Sequence, residues 1–269
     1  MPARDCRLLG GVDADAARGA EHVGESKGFN PMSQQLLVER LFESLIAGDR
    51  AQSRKVVGEA IQQGVHAQRI LMDLFWPTHE MIEKLFRQDQ LTVVSYNMST
   101  RLLRMMVDQM AAQLTLLPTN GKTVFACCGN TEGEELAGQI ASDLLEAAGY
   151  EVCYAGGKLP ADEILNQVQE RRPDFLVLFA SSASDLPGIR TIVDTLRSIN
   201  ATPLTKIAVG GGVFNRAEGL AEEIGIDLVG KTPLELVELL AMPEFEQHEA
   251  TPLATIAPAA KKRAARKVA

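Results

Sequence analysis

Apolar residues recur at helical spacing from about residue 31 to residue 117, after a stretch over residues 1–30 without any sustained period. We predict four amphipathic helices: one with Ser33 as N-cap that stops at Gly48-Asp49, one over about 50–63, one from about His66, and one over about 92–117. Pro77 removes a backbone donor from the third, so we expect a kink beside Trp76. Four helices joined by short links predict an antiparallel bundle over residues 31–118. Residues 1–30 are predicted to be a disordered arm.

The apolar positions of these helices predict which side chains face the core of the bundle. The inward set is Leu36, Leu37, Leu41 and Leu45 in the first helix, Val56, Val57, Ala60 and Ile61 in the second, and Val94, Met98, Leu102, Met105, Met106 and Met110 in the fourth. A methionine stripe of this kind is interpreted as core, with a ligand-facing role for Met98 as the alternative.

The period changes after Leu117–Gly121, where short apolar runs begin to alternate with amphipathic stretches. Strands are predicted over Thr123–Cys128, Glu151–Tyr154, Phe175–Ala180, Lys206–Val209 and Asp227–Val229, with helices near 134–148, 161–171, 186–198, 216–224 and 233–240. Five β-α units predict an α/β domain over residues 121–241 with a parallel, doubly wound, flavodoxin-like sheet. Its ligand site should lie beyond the carboxyl ends of the strands. Residues 242–269 are predicted to form a disordered basic tail.

Charge and cysteine content exclude several classes of protein. The net charge is −8, although residues 251–269 carry five basic residues and no acidic one, so the rest of the chain is more acidic still. Nucleic-acid binding is therefore not expected except through the tail. The four cysteines lack metal-type spacing, which favours a cytoplasmic location. No apolar run is long enough for an export signal or a membrane helix.

Candidate ligand-binding residues follow three of the predicted strands. Glu132, Glu134 and Glu135 follow the first, the hydroxyls of Ser181 and Ser182 follow the third, and Gly210, Gly211 and Gly212 follow the fourth. Acidic residues in a first turn also complement the helix dipole, so two interpretations stay open for Glu134 and Glu135, whereas Glu132 is expected to face a ligand. The three glycines are expected to allow close approach of a flat ligand. Walker-type and nicotinamide-binding motifs are missing.

Enzyme chemistry is not indicated, and no catalytic residue is assigned. The four histidines lie away from the serines, and no G-x-S-x-G turn occurs, which excludes a serine hydrolase. His79 is interpreted as a bundle residue rather than a metal ligand.

A helical cap followed by this α/β domain resembles the cobalamin-binding modules of methionine synthase, corrinoid methyl-transfer proteins and cobalamin-dependent light-sensing regulators. The resemblance covers residues 33–240 and is carried by Ala137–Val152, Pro173–Phe179 and, most specifically, Ile207–Gly230. It implies a cobalamin or related corrinoid as cofactor. The nucleotide tail of that cofactor would be threaded beside the glycine loop, and the cap would cover the upper face of the ring.

The chain departs from that family at both axial positions. Glu132, Glu134 and Ala137 stand where the family has Asp-x-His-x-x-Gly, so the cobalt-ligating histidine is absent. Tyr96 and Asn97 stand where light-sensing regulators have a Glu-His pair. A carboxylate does not replace a neutral imidazole simply. Either a corrinoid binds with its own base in place, or the fold serves another ligand or protein contacts.

Three functions remain open. The first is a non-catalytic regulatory or sensory module that binds a corrinoid, or another large ligand, between cap and sheet and acts through a regulatory protein partner or as a homo-oligomer. The second is an interaction protein that kept the fold and lost the ligand, and the third is a corrinoid methyl carrier for a methyltransferase. The candidate ligand-binding residues are Glu132, Glu134, Ser181, Ser182, Gly210, Gly211, Gly212, Tyr96, Asn97 and Met98.

Overall fold

The first two helices begin at polar caps and are separated by a glycine. In the computed structural model, which describes residues 29–200 and 202–243, α1 (Pro31–Ile46) begins after Asn30, whose side chain accepts a hydrogen bond from the Met32 N–H. The predicted cap at Ser33 is wrong, because Pro31 tolerates the first turn and places the helix start earlier. The helix α2 (Arg50–Gln62) follows Gly48, which has φ +69°. Most of the predicted arm and tail, residues 1–28 and 244–269, lie outside the described residues.

Pro77 divides the third predicted helix. The chain forms α3 (Ala67–Arg69), a π-helical stretch (Ile70–Phe75) and α4 (Trp76–Arg87), with Pro77 in the first turn of α4. The N–H of Trp76 donates to Leu71 O, five residues back, so the helix widens just before the residue that has no N–H. This wide turn brings Trp76 to the edge of the cap.

The helix α5 (Val93–Ala111) ends six residues before its predicted end at Leu117. Residues 112–122 instead run across the end of the next helix, where the Leu117 N–H donates to Ala147 O at 2.9 Å and the Asn120 N–H donates to Gly149 O at 2.9 Å. These hydrogen bonds satisfy backbone groups of this segment without a helix. The spacing of apolar residues along the chain could not reveal them, because their partners lie in a different element.

The second half is the predicted parallel sheet. Its elements are β1 (Thr123–Cys128), α6 (Glu132–Ala147), β2 (Glu151–Tyr154), α7 (Ala161–Arg171), β3 (Phe175–Phe179), α8 (Leu186–Ile199), β4 (Lys206–Gly210), α9 (Gly212–Arg216), α10 (Leu220–Ile224), β5 (Leu228–Gly230) and α11 (Pro233–Ala241). The strand order is β2-β1-β3-β4-β5 and every pair is parallel, which confirms the flavodoxin-like prediction. Within the range 216–224 predicted as a helix, α10 begins only at Leu220, after Gly219 with φ +77°, and the short α9 ends at Arg216.

One apolar cluster joins the helical cap to the α/β domain. Leu136, Ile140 and Leu144 of α6 are buried among the side chains of the cap, while the other face of α6 covers the sheet. Leu36 and Ile61 were predicted inward but are exposed, because Leu37 and Ala60 occupy the inward positions beside them. Val94 and Met98 are also exposed, so the inward stripe of α5 begins at Tyr96 rather than at these residues.

Candidate functional site

The candidate site lies beyond the carboxyl ends of β1, β3 and β4, where the strand order reverses between β1 and β3. In open parallel sheets this switch point forms a crevice between neighbouring loops. Here the crevice is bounded by the loops after the three strands, and the cap contributes Trp76 and Tyr96 from above. It therefore contains most of the residues predicted for ligand binding.

Glu134 is a structural residue of the crevice. It forms a capping box with Thr131, in which each side chain bonds the backbone N–H of the other. Its second carboxylate oxygen accepts hydrogen bonds from the N–H groups of Ser181 and, at 3.2 Å, Ser182. The side chain is only 2% exposed. The carboxylate thus ties the start of α6 to the loop after β3, and the pattern Thr-x-x-Glu was the signal for the capping half of this role.

Asp185 lies next to this carboxylate. Burial opposes the ionisation of Glu134, but hydrogen bonds from Ser181 and Thr131 outweigh it and lower its pKa. Burial, and then the neighbouring Glu134, raise the pKa of Asp185 to about 6. Asp185 Oδ2 is buried without a donor, while Oδ1 accepts from Asn130 at 3.4 Å. As the pH falls toward about 6, Asp185 takes up a proton while Glu134 stays ionised. Sequence reasoning missed this pair because 50 residues separate the two side chains.

Glu132 lies nearer to the surface, where the cap reaches it. Arg104 of α5 donates to the Glu132 backbone oxygen at 3.2 Å and lies 3.8 Å from its carboxylate. Arg104 also lies 3.5 Å from Glu135, which faces Lys158 at 3.6 Å. Through its partly exposed ion pairs with Glu132 and Glu135, Arg104 joins the cap to the first turn of α6.

Tyr96 fastens the cap to the start of α6. Its hydroxyl donates to Glu83 Oε1 at 2.8 Å and accepts from the Gly133 N–H at 3.1 Å. Burial, then the nearby Glu83 carboxylate, raise the pKa of Tyr96, so its hydroxyl stays protonated. A Cβ on Gly133 would collide with Glu83. Tyr96 therefore belongs to the crevice, as a closing contact.

Two predicted site residues are not brought to the crevice by these contacts. Asn97 is exposed on α5, and Met98 lies against Gly48, where an added Cβ would be 3.2 Å from the Met98 sulfur. Both point away from the Tyr96 contact because they follow it by one and two residues on a helix.

In the loop after β4, other atoms of the protein occupy the positions where side chains would begin, so glycines stand there. Gly211 has φ +109°, and an added Cβ would collide with the Ala180 carbonyl. A Cβ on Gly210 would lie 3.2 Å from the Phe179 ring, and one on Gly212 would lie 2.5 Å from the Arg216 guanidinium. Ser181 Oγ accepts from the Gly212 N–H at 3.4 Å. The loop therefore packs closely on the loop after β3.

A narrow slot runs between this glycine loop, α6 and the cap. Its volume is about 20 Å³. Its walls include Trp76, Ala137, Phe179, Gly210, Gly230 and Leu236. Sequence reasoning did not assign Trp76 to the site, although it is the one tryptophan of the chain and stands beside Pro77.

His79 lies next to Trp76, with the two ring centroids 5.6 Å apart. It is 4% exposed, and its Nδ1 has no hydrogen-bond partner. Burial, followed by the charge of Arg87, lowers the pKa of His79 to about 4. At neutral pH the imidazole is therefore uncharged within the cap.

A second cavity lies on the opposite face of the sheet. Its volume is about 150 Å³, and its lining includes Cys127, Leu178, Ile189, Asn130 and Asp185. Within the described residues no group of three or more His, Cys, Asp or Glu side chains is placed to hold a metal ion. Cys127, Cys128 and Cys153 are unpaired thiols, and burial raises the pKa of Cys128 to about 11.

Two family models match the chain, and both describe a B12 binding domain. One covers residues 122–240 and the other covers residues 37–110, which correspond to the α/β domain and the helical cap. No helix in the described ranges has the length and hydropathy needed to cross a membrane.

Known proteins with similar sequence or structure carry corrinoid names. Dimethylamine corrinoid protein 3 of Methanosarcina mazei is 29% identical over 119 residues, which cover 42% of this chain and 70% of that protein. Dimethylamine corrinoid protein 1 of Methanosarcina acetivorans is also 29% identical over 119 residues, covering 42% of this chain and 55% of its own length. The monomethylamine corrinoid protein of Methanosarcina barkeri shares the fold, with a TM-score of 0.67, 15% identity and coverage of 77% of this chain and 98% of its own.

Proposed function

The chain belongs to the B12-binding domain family, and we propose that it is a non-catalytic corrinoid-binding protein that presents its ligand to a partner protein. One observation carries the proposal: Trp76 of the cap lines the same slot as Gly210 and Gly211 of the strand-end loop. Cap and sheet thus meet at one crevice, which is the arrangement that the family resemblance requires. The corrinoid-protein relatives support the class of ligand.

The polar groups at the open edge of the crevice suit a corrin ring. Arg216 lies on the α/β side, where its guanidinium donates to the Ser181 backbone oxygen at 2.6 Å. Burial, and then the charge of Arg87 in the cap, lower its pKa. Two like charges held near each other favour a ligand that offers acceptors to both. The amide side chains of a corrin ring present carbonyl oxygens, which guanidinium groups bind well.

The lower axial position does not suit ligation of cobalt by the protein. Glu134 stands where the family has its histidine, and all its hydrogen bonds run to Thr131, Ser181 and Ser182. Moving this carboxylate toward a ring would leave the backbone N–H groups of Thr131, Ser181 and Ser182 without this acceptor. The residues that hold a corrinoid here would therefore be those of the crevice walls, with no imidazole below the ring.

An absorption experiment tests the proposal. The full chain is incubated with cyanocobalamin, methylcobalamin and cyanocobinamide in turn, free ligand is removed, and the visible spectrum is recorded. We expect at least one corrinoid to be retained at near one-to-one stoichiometry. A colourless protein after all three incubations contradicts the proposed function.

Charge variants at the crevice edge make the test specific. Arg216→Gln and Arg87→Gln are expected to weaken binding of the retained corrinoid about tenfold each, because each removes a charged donor. Arg54→Gln is the matched control, since Arg54 is exposed in the cap and contacts Met105. Equal weakening by all three variants would argue against this crevice as the binding site.

The function of the loaded protein has two candidates. The dimethylamine corrinoid relatives favour a methyl carrier that serves a separate methyltransferase. The carboxylate at the histidine position favours the regulatory module. Light scattering of the free and corrinoid-loaded protein separates them: a change of oligomeric mass on loading supports the regulatory module, and an unchanged mass supports the carrier.

A further inference from the structure

The slot beside the glycine loop is too small for the group that the family resemblance would put there. Its volume of about 20 Å³ is close to the roughly 10–15 Å³ that a cavity needs to hold one water molecule. A cavity that takes up a benzene ring measures about 150 Å³. The base of a nucleotide tail is larger than benzene, so it cannot enter the slot as the slot is built.

The slot is closed by well-packed side chains rather than by a loose loop. Phe179 is 7% exposed and its ring lies against Gly210, while Leu236 is 1% exposed and lies against Gly230. Ala137 adds a methyl group where the family has glycine, and Trp76 closes the slot from the cap. Opening the slot would therefore require several core side chains to leave their packing together.

From these observations we infer that the crevice selects a corrinoid that has no nucleotide tail, of the cobinamide class, over cobalamin. The inference rests on the proposed function, because it specifies which corrinoid the same crevice takes. In this interpretation the glycines after β4 have a structural role. They let the loops after β3 and β4 pack on each other, and they do not make room for a base. The ring then contacts the strand-end loops and the cap without any group inserted below it.

Competition between two corrinoids tests the inference. The full chain is titrated with cyanocobinamide and with cyanocobalamin under the same conditions, and both dissociation constants are measured from the visible spectrum. We expect cyanocobinamide to bind at least about tenfold more tightly. Cobalamin binding as tightly or more tightly overturns the inference and leaves the proposed function standing. Retention of neither corrinoid overturns both.

Two variants that widen the slot identify its role. Ala137→Gly removes the methyl group at the position where the family has glycine, and Trp76→Ala removes the side chain that closes the slot from the cap. Each is expected to reduce the preference for cyanocobinamide about tenfold. Ala147→Gly is the matched control, because it makes the same change in α6 at the end far from the slot. A preference that is unchanged in both widened variants overturns the slot as its cause.

Discussion

Glu134 and His79 are buried ionisable residues that the protein handles in opposite ways. Glu134 stays ionised because backbone N–H groups and Thr131 bond both of its oxygens. His79 has an unbonded Nδ1 and stays neutral because it is cut off from water. The sequence showed both residues but could not show the difference, since it depends on which backbone groups face each side chain.

The buried imidazole of His79 makes the stability of the protein depend on pH. Its pKa is about 4 in the folded protein and about 6.5 when exposed, so the unfolded chain takes up the proton first. The free energy of unfolding therefore does not depend on this imidazole above about pH 6.5, and it falls as the pH drops from about 6.5 to about 4. We expect a loss of up to about 3 kcal/mol from this residue, measured by urea unfolding at a series of pH values.

The variant His79→Phe separates this effect from the other groups that titrate in the same range, such as Asp185. Its unfolding free energy should fall less steeply between pH 6.5 and 4 than that of the unchanged protein. His66→Phe is the control, because His66 is exposed at the start of α3 and should keep the original slope. The same slope in His79→Phe as in the unchanged protein would show that the imidazole is not the source.

Among the elements, α6 connects the cap to the sheet at the site, because it has two apolar faces. One face covers the sheet, and the other carries Leu136, Ile140 and Leu144 into the core of the cap. Its first turn meets Tyr96, Arg104 and the loop after β3. A one-sided helical period predicted the helix but not its second partner, because any apolar side chain can pack against either layer.

The contact between α5 and α6 can be tested with Tyr96→Phe. The change removes the acceptor of the Gly133 N–H and the donor to Glu83, so we expect a loss of about 1–3 kcal/mol in unfolding free energy. Hydrogen exchange should become faster at the first turn of α6, measured by mass spectrometry. Tyr150→Phe is the control, since Tyr150 precedes β2 at the opposite edge of the sheet. Unchanged exchange at Gly133 would show that other contacts hold the cap in place.

At the scale of the whole molecule, the cap and the α/β domain share one apolar cluster through α6. We therefore expect a single cooperative unfolding transition, seen equally by the fluorescence of Trp76 in the cap and by far-ultraviolet circular dichroism. Ile140→Ala creates a cavity in the shared cluster and should cost about 2–5 kcal/mol by both probes. Ile199→Ala, at a position 57% exposed, should cost less than about 0.5 kcal/mol. Two separate transitions would show that the halves fold independently.

The sequence alone determined the kinds of element, their order and the class of sheet. A helix or strand with one buried face must repeat apolar residues at its own period, so this information is local and is written along the chain. The glycine and serine clusters also marked the carboxyl ends of the right strands, because parallel strands place those ends on one edge. The bounds of β1, β2 and α7 agree with the prediction to the residue.

Only the tertiary structure decided how these pieces form a site. The early end of α5, the burial of Glu134, the proximity of Asp185 and the size of the slot all depend on contacts between residues far apart in the chain. Such contacts follow from how the cap and the sheet pack on α6, and packing is fixed by shape and volume rather than by period. The same glycines that predict an open binding loop therefore line a slot of about 20 Å³ once Phe179, Leu236 and Trp76 are in place.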